Sequence, residues 1–428
     1  MRILLITNLF QPEPSHLKGL AYAKELQRRG HDVHVLTGFP NYPGGKLYPG
    51  YRMRWTMQET LDGVPVTRVA MYPSHDGSAI RRSLNYISIG ISLAIHVLGM
   101  KRRFDVSHVC MGPITLMWPA QVLRRVQGTK VVADVQDIWP ESVADSGMLK
   151  SGLALRILKM ICLRAYRTAD RIIVLSQGYK QLLSNRGIDP GRVDVVYNWC
   201  DESQPAAAAT EDISSSILDA NTFNVVYAGN LGKLQGPDTI LDAAQSLAAK
   251  GCSARFVLIG GGVEFERICR RIQDERIANV ILMPRMPLEQ VNRILDRADL
   301  LLIHLIRSGL SSIAIPQKLQ AYLSIGRPIL LAAEGDVLDL FRQAGAGPAC
   351  EPENPEAMAA AILRFMKLDV ARREELGRRG QQFYRDALNF RKGVEHIERI
   401  HSQATEERKT PRTGEEEHRA AGECVGKS

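Results

Sequence analysis

The sequence has no uninterrupted apolar run of ~18 or more residues, so no transmembrane helix is expected. Its start is equally poor in the features of a secretory leader. Arg2 is followed only by Ile3 to Ile6 before Thr7 and Asn8 interrupt the apolar run. Cysteine is sparse: Cys110, Cys162, Cys200, Cys252, Cys269, Cys350 and Cys424 show no paired metal spacing. Such scatter suits a reducing cytoplasm better than a disulfide framework. No Asp-X-Asp motif occurs. The basic residues are not interleaved with aromatics in any recognised module, so no nucleic-acid partner is expected. Gly260-Gly261-Gly262 lacks the full glycine fingerprint, which argues against a nicotinamide dehydrogenase.

What is present points elsewhere. At 428 residues the chain is too long for one ordinary core, and two domains are expected. An apolar fraction of 45% with 24% charged residues is ordinary for a soluble globular protein. The formal net charge of +9 calls for an anionic partner, and charge alone leaves membrane surface, phosphorylated small molecule and nucleic acid open.

Leu300 to Leu331 reads as one βαβ unit. An apolar run is followed by a loop of small residues (Ser308 to Ser312), then by Pro316, suited to a helix's first turn. Leu319, Tyr322 and Leu323 recur at helical spacing until Gly326 and Pro328 end the helix. Free N–H groups at that helix N-terminus, with Lys318 beside them, suit a phosphate-bearing ligand. An ordinary βα turn with a solvated lysine is the alternative.

Before the linker, strands are expected at Arg2 to Thr7, His31 to Thr37, Val64 to Val69, Val106 to Val109, Val131 to Val135, Arg171 to Leu175 and Val193 to Tyr197. Helical segments alternate with them, so the class is α/β, with parallel sheets covered by helices and ligands at the strands' carboxyl ends. Three loops carry chemistry. Phe10 to Gly19 holds Glu13, His16 and Lys18; Phe39 to Lys46 holds Asn41 and Tyr42, suited to a sugar or acceptor surface or simply to shaping a turn. The third, Asp134 to Ser142, places Asp137 beside Trp139, a pair suited to sugar hydroxyls and faces, while Glu141 or Ser142 reads as a helix cap. Ile80 to Phe104 has an apolar centre between Arg81-Arg82 and Lys101-Arg102-Arg103, which fits either an interfacial helix or a core helix with solvated ends.

Residues 200–222, with Pro205 to Ala209 and Ser214 to Ser216, read as a linker between domains at 1–199 and 223–385. In the second domain a strand leads into Gly229 to Gly236, where glycines admit a ligand to the backbone and Lys233 offers it a charge. Another strand leads into Gly260-Gly261-Gly262, and a third precedes Arg285-Met286-Pro287. A C-terminal helix is expected over 386–401, and the charged, aromatic-free stretch 402–428 is expected to be disordered.

In their order, EPSHLKGLAYAKELQRRGHDVHVLTGFPNYPGG, DVQDIWPES, YAGNLGKLQG and IPQKLQAYLSIGRP resemble a retaining family 4 glycosyltransferase of the GT-B fold. The resemblance spans about residues 1 to 400 and is to the colanic-acid, capsule and O-antigen subgroup, including fucosamine-type transferases. It implies two Rossmann-like domains facing across a cleft, a nucleotide-sugar donor, a UDP-sugar first, and a polyprenyl-diphosphate-linked or saccharide acceptor. It implies no metal and no separate cofactor. A cytoplasmic site on the inner face of the cell membrane is also expected, reached through the basic-flanked Ile80 to Phe104. Lys233 and Lys318 would stabilise the leaving diphosphate, and Asp137 would complete the catalytic set. Gly229, Asn230, Gly232, Gly261, Glu264, Arg285, Met286 and Pro316 would line the donor, and Glu13, His16, Lys18, Asn41, Tyr42 and Trp139 the acceptor side.

The chain departs from the family's pattern at three points: Asn230 and Gln235 stand where an Arg and a Lys are common, and Ala321 where a ribose-binding glutamate is common. Two rivals share the architecture: a nucleotide-sugar 2-epimerase, and a non-catalytic scaffold with a degenerate donor site.

Overall fold

The computed structural model describes residues 1–14, 17–74, 78–141, 152–200, 202 and 213–406. His16, Ser142, about half of the expected linker and the end of the tail lie outside them.

The first half runs β1 (Arg2–Ile6), α1 (Leu20–Arg28), β2 (Asp32–Gly38), β3 (Thr56–Leu61), β4 (Val64–Val69), α2 (Ala79–Leu98), β5 (Val106–Met111), α3 (Met117–Gln127), β6 (Lys130–Val135), α4 (Gly152–Thr168), β7 (Arg171–Val174), α5 (Gln177–Asn185) and β8 (Val193–Val195). Its strands lie in the order β3-β4-β2-β1-β5-β6-β7-β8. All neighbours are parallel except β3, which runs antiparallel to β4. β3 is absent from the strands read in the sequence. Its residues, TMQETL, alternate between half-buried and exposed, and Asp62-Gly63, both at positive φ, turn the chain tightly into β4.

The second half runs α6 (Ser214–Ile217), β9 (Phe223–Asn230), α7 (Pro237–Ala249), β10 (Ala254–Gly261), α8 (Phe265–Asp274), β11 (Val280–Met283), α9 (Leu288–Asp296), β12 (Leu300–His304), α10 (Gln317–Ile325), β13 (Ile329–Ala332), α11 (Asp336–Ala344), β14 (Ala349–Cys350), α12 (Pro355–Met366), α13 (Val370–Phe383) and α14 (Phe390–Glu406). The six strands are parallel in the order β11-β10-β9-β12-β13-β14. That is a doubly wound sheet whose direction of winding reverses between β9 and β12, where such sheets open a crevice at the strands' carboxyl ends.

α14 continues past His401 to Glu406, so the first residues of the expected disordered tail are helical. It also leaves the second sheet and packs on the first: Val394, Ile397, Ile400 and Ala404 share one buried cluster with Ile3, Leu5, Val33 and Val106. The chain therefore passes between the halves twice. Trp199 joins the two passes, its ring 5.4 Å from that of Phe390 and so close to Gly393 that a Cβ there would lie 2.2 Å from it.

The carboxyl ends of the sheets face each other. Ile313, beyond β12, accepts the Ser176 hydroxyl proton, and Asp336 at the start of α11 accepts the Gly178 amide. Ser176 and Gly178 lie at the beginning of α5, just beyond β7.

Candidate active site

The crevice between β9 and β12 holds the most distinctive group in the molecule. Lys318, in the first turn of α10, folds its stem back so that Nζ lies 3.3 Å from the centroid of the Tyr227 ring. Among the described residues it has neither a carboxylate partner nor a hydrogen-bond acceptor. Burial accordingly drives its pKa well below the usual lysine value. The same ammonium flanks Gly229, at φ +148°, where a Cβ would stand 2.8 Å from Lys318 Cε and 3.0 Å from Nζ. Pro316 is not in the first turn as expected; it is the extended residue before it, and no side chain caps α10. One crevice thus gathers an unpaired cation, an open helix N-terminus and a backbone stripped to glycine, an arrangement fit for an anion.

The loop after β9 is held by its own amides. Gln235 Oε1 accepts from the Gly232 amide and from Asn230 Nδ2, each at 3.1 Å, and Tyr227 donates to the Asn230 carbonyl at 2.5 Å. Asn230 and Gln235, which replace the family's cations, therefore bond to each other. Lys233 is exposed and unpaired among the described residues. Below the loop, buried His304 accepts the Glu353 amide at Nε2 (3.0 Å), which leaves Nδ1–H to donate to the Gln235 carbonyl at 2.8 Å. Sequence reasoning missed His304, although an imidazole ending a buried strand is a readable signal. Arg285 is exposed and lies across Gly261, its Nε 3.0 Å from where a Cβ would project. Met286 is half-buried against the second core. Glu264 is 9% exposed and bonds Arg267 at 2.6 Å, and Arg267 also holds Asp238, so its carboxylate is already engaged.

Across the cleft, Asp137 is exposed beyond β6, yet the protein walls around it still desolvate its carboxyl and raise its pKa. Trp139 is half-buried, with its ring 6.1 Å from and edge-on to Tyr86 of α2; its backbone pairs with the Tyr166 hydroxyl of α4. Glu141 pairs with Arg186, and the residues that it was expected to cap lie outside the described ones.

Two residues read as acceptor contacts, Glu13 and Asn41, are turned inward. Glu13 is 1% exposed and accepts the amides of Phe10, Asn41 and Tyr42 at 3.2, 2.7 and 2.8 Å, bracing one loop against the next. Burial raises its pKa against the pull of those amides. Asn41 is buried beside it and donates to the Phe39 carbonyl. Tyr42 is half-buried, its carbonyl accepting from Tyr48.

Lys18 enters the base of the first domain. Its Nζ donates to Asn198 at 2.7 Å, lies 3.3 Å from Asp134 Oδ2 and stands 4.7 Å from the centre of the Trp199 ring. Asp134 is fully buried beside His108, which meets His401 of α14 at 2.9 Å. Burial alone would raise the Asp134 carboxyl, but Lys18, His108 and Gln136 hold it down at about 2. His401 lies well below the ordinary histidine value, by burial first and by His108 second. The fold also brings His108, Cys110 and Asp134 within 4.8 Å of one another, a donor set that spacing alone did not reveal. The ammonium of Lys18 already balances this carboxylate, and burial keeps the Cys110 thiol protonated.

This geometry agrees with the comparisons. The family model of the glycosyl transferase 4-like domain matches residues 20–199, and that of glycosyl transferases group 1 matches residues 209–383. The chain is a family 4 glycosyltransferase of the GT-B fold. It is 27% identical to the Pseudomonas aeruginosa protein named probable glycosyltransferase WbjE, over 70% of this chain and 75% of that one. It is 23% identical to WcaI of Escherichia coli K12, named for colanic acid biosynthesis, over 86% and 93%. Among solved structures it is similar to Anabaena Alr3699/HepE, determined in complex with UDP-glucose. The TM-score there is 0.63 at 15% identity, covering 96% of this chain and 99% of that one.

Proposed function

We propose that the chain transfers a sugar, with retention at the anomeric carbon, from a UDP-sugar to a polyprenyl-diphosphate-linked or saccharide acceptor in surface polysaccharide synthesis. The acceptor domain works at the inner face of the membrane. The observation that carries this reading is the unpaired Lys318 ammonium between Gly229, Tyr227 and the open end of α10. A donor diphosphate seated there meets that charge and the free amides of the helix. Lys233 closes over it from the loop, and Arg285 faces the nucleotide from beside Gly261.

As the bond to the anomeric carbon breaks, negative charge collects on the departing diphosphate. A cation already half-buried in the crevice stabilises that charge with little reorganisation. Asp137 approaches the reacting face from the first domain, and Trp139 offers its ring to a sugar. WbjE and WcaI, named as transferases, favour transfer over the epimerase and scaffold readings.

The test is a thermal-shift screen against UDP-, GDP- and dTDP-sugars, followed by transfer of the stabilising donor's sugar to a polyprenyl-diphosphate saccharide. Stabilisation by UDP-sugars and a glycosylated lipid product are expected. A protein that shifts with none of the donors would overturn the proposal.

A further inference from the structure

The helical layer on one face of the first sheet is unlike the rest of the surface. α2, α3 and α4, of 20, 11 and 17 residues, contain no Asp or Glu, while they carry two, two and four Lys or Arg. On the opposite face, α1 holds Glu25 and α14 holds Glu395, Glu398 and Glu406. The acid-free layer also exposes apolar side chains in rows. On α2 these are Ile80, Leu84, Ile87, Ile91, Ile95 and Leu98, 43% to 75% exposed, recurring every three or four residues as one helical stripe. α4 repeats the device with Leu153, Ile157, Met160 and Ile161, 44% to 68% exposed.

The inner sides of α2, α3 and α4 share one buried cluster, through Leu93, Leu123 and Ala165 among others, so the three helices form a single layer. Lys101 and Arg103 just past α2, with Arg156, Lys159 and Arg164 on α4, are exposed and have no carboxylate partner among the described residues. No helix among the described residues is long and apolar enough to cross a membrane.

We infer that α2 and α4 together form a two-rail docking face for a bilayer containing anionic lipid, with α4 as essential as α2. Aliphatic rows beside cations without a carboxylate partner among the described residues, with no acid on the three helices, match the apolar–anionic boundary of such a bilayer and no ordinary solvated face. The inference rests on the membrane-side reading above and extends it from Ile80 to Phe104 to a second helix. The position of the face matters for the reaction. Tyr86 on α2 and Tyr166 on α4 both hold Trp139 at the cleft's edge, so a lipid-borne acceptor in the same bilayer arrives beside that ring.

The test is co-sedimentation of the full chain with phosphatidylcholine vesicles, with and without phosphatidylglycerol. Wild-type protein binds only the anionic vesicles. Ile157→Glu with Met160→Glu, and separately Ile87→Glu with Ile91→Glu, each lowers partitioning about tenfold or more, whereas Val370→Glu on α13 has no effect. If either Glu pair fails to fold, Gln at the same positions serves. Loss of binding from the α2 pair alone, or unchanged binding in both, overturns the two-rail face. Vesicle binding by a protein that glycosylates only water-soluble saccharides supports the face and removes the lipid-linked acceptor instead.

Discussion

Removing the Lys318 ammonium should separate two quantities that usually fall together, turnover and stability. In the free protein the charge is desolvated against Tyr227 with no anion to repay it. With donor bound, an ammonium ~4 Å from a diphosphate oxygen is worth roughly 4 kcal/mol at an effective dielectric of about 20. Removing one such stabilising group costs roughly 3 kcal/mol of the barrier, or about two orders of magnitude in rate. Lys318→Met should therefore lower kcat/KM about a hundredfold, as measured by UDP release at limiting donor.

Its free form should unfold at higher urea than wild type at neutral pH. The sign follows from the depressed folded pKa. Between that value and the ordinary 10.5 the unfolded chain binds more protons than the folded one, so wild-type stability rises with pH and the advantage of the methionine variant shrinks. Addition of UDP should stabilise wild type far more than the variant. Unchanged kcat/KM, or an equal UDP shift in both proteins, would refute the placement of the diphosphate in this crevice.

Gly229→Ala pushes a Cβ to within 2.8 Å of Lys318 Cε at a strained φ, and kcat should drop tenfold or more, since displacements of about 1 Å in such sites carry costs of that order. Asp134→Asn leaves the Lys18 ammonium buried without its anion. Urea denaturation at pH 7 should show a loss of about 3–5 kcal/mol. Because the Asp134 carboxyl is held at about 2, its stabilisation is complete above the ordinary 3.8 and lost as pH falls towards 2; the asparagine variant should lack that acid limb. Asp137→Asn should behave oppositely. The wild-type carboxyl is raised, so wild type loses stability as pH climbs through its titration; the variant keeps that stability while turnover falls in the transfer assay.

The two sheets were legible because a parallel strand buried on both faces reads as an unbroken apolar run, as RILLI and LLLIH do. β3 was not, because TMQETL lies at an edge and its polar alternation resembles a loop. The crevice between β9 and β12 was legible for a local reason: Gly229 at the end of β9, and Pro316 and Lys318 at the start of α10, stand within short motifs. The acceptor loops misled for the opposite reason. Lys18 finds Asn198 and Asp134, and Glu13 finds Asn41, through contacts that no neighbouring residue announces. A partial signal existed: His108 and Asp134 each sit in an otherwise apolar strand, and a polar group there must have a partner.

The missing cations of the loop after β9 bear on how strongly the crevice is charged. Where the family pattern has an Arg and a Lys, Asn230 and Gln235 spend their amides on each other and on the Gly232 amide. An amide pair holds the loop's shape without contributing charge. On the proposed reading, neutralising a departing diphosphate would fall to Lys318, Lys233, Arg285 and the end of α10. A loop fixed by neutral bonds does not compete with those groups for the ligand, and it leaves Lys318 the sole desolvated cation on β9's side of the crevice among the described residues. Asn230→Arg with Gln235→Lys would add two solvated charges but break the loop's internal bonds. The expected result is tighter UDP binding by calorimetry with no gain in kcat, because the added charges act on bound donor and on transition state alike. A gain in kcat would mean that charge, and not the loop's preorganised shape, limits this site.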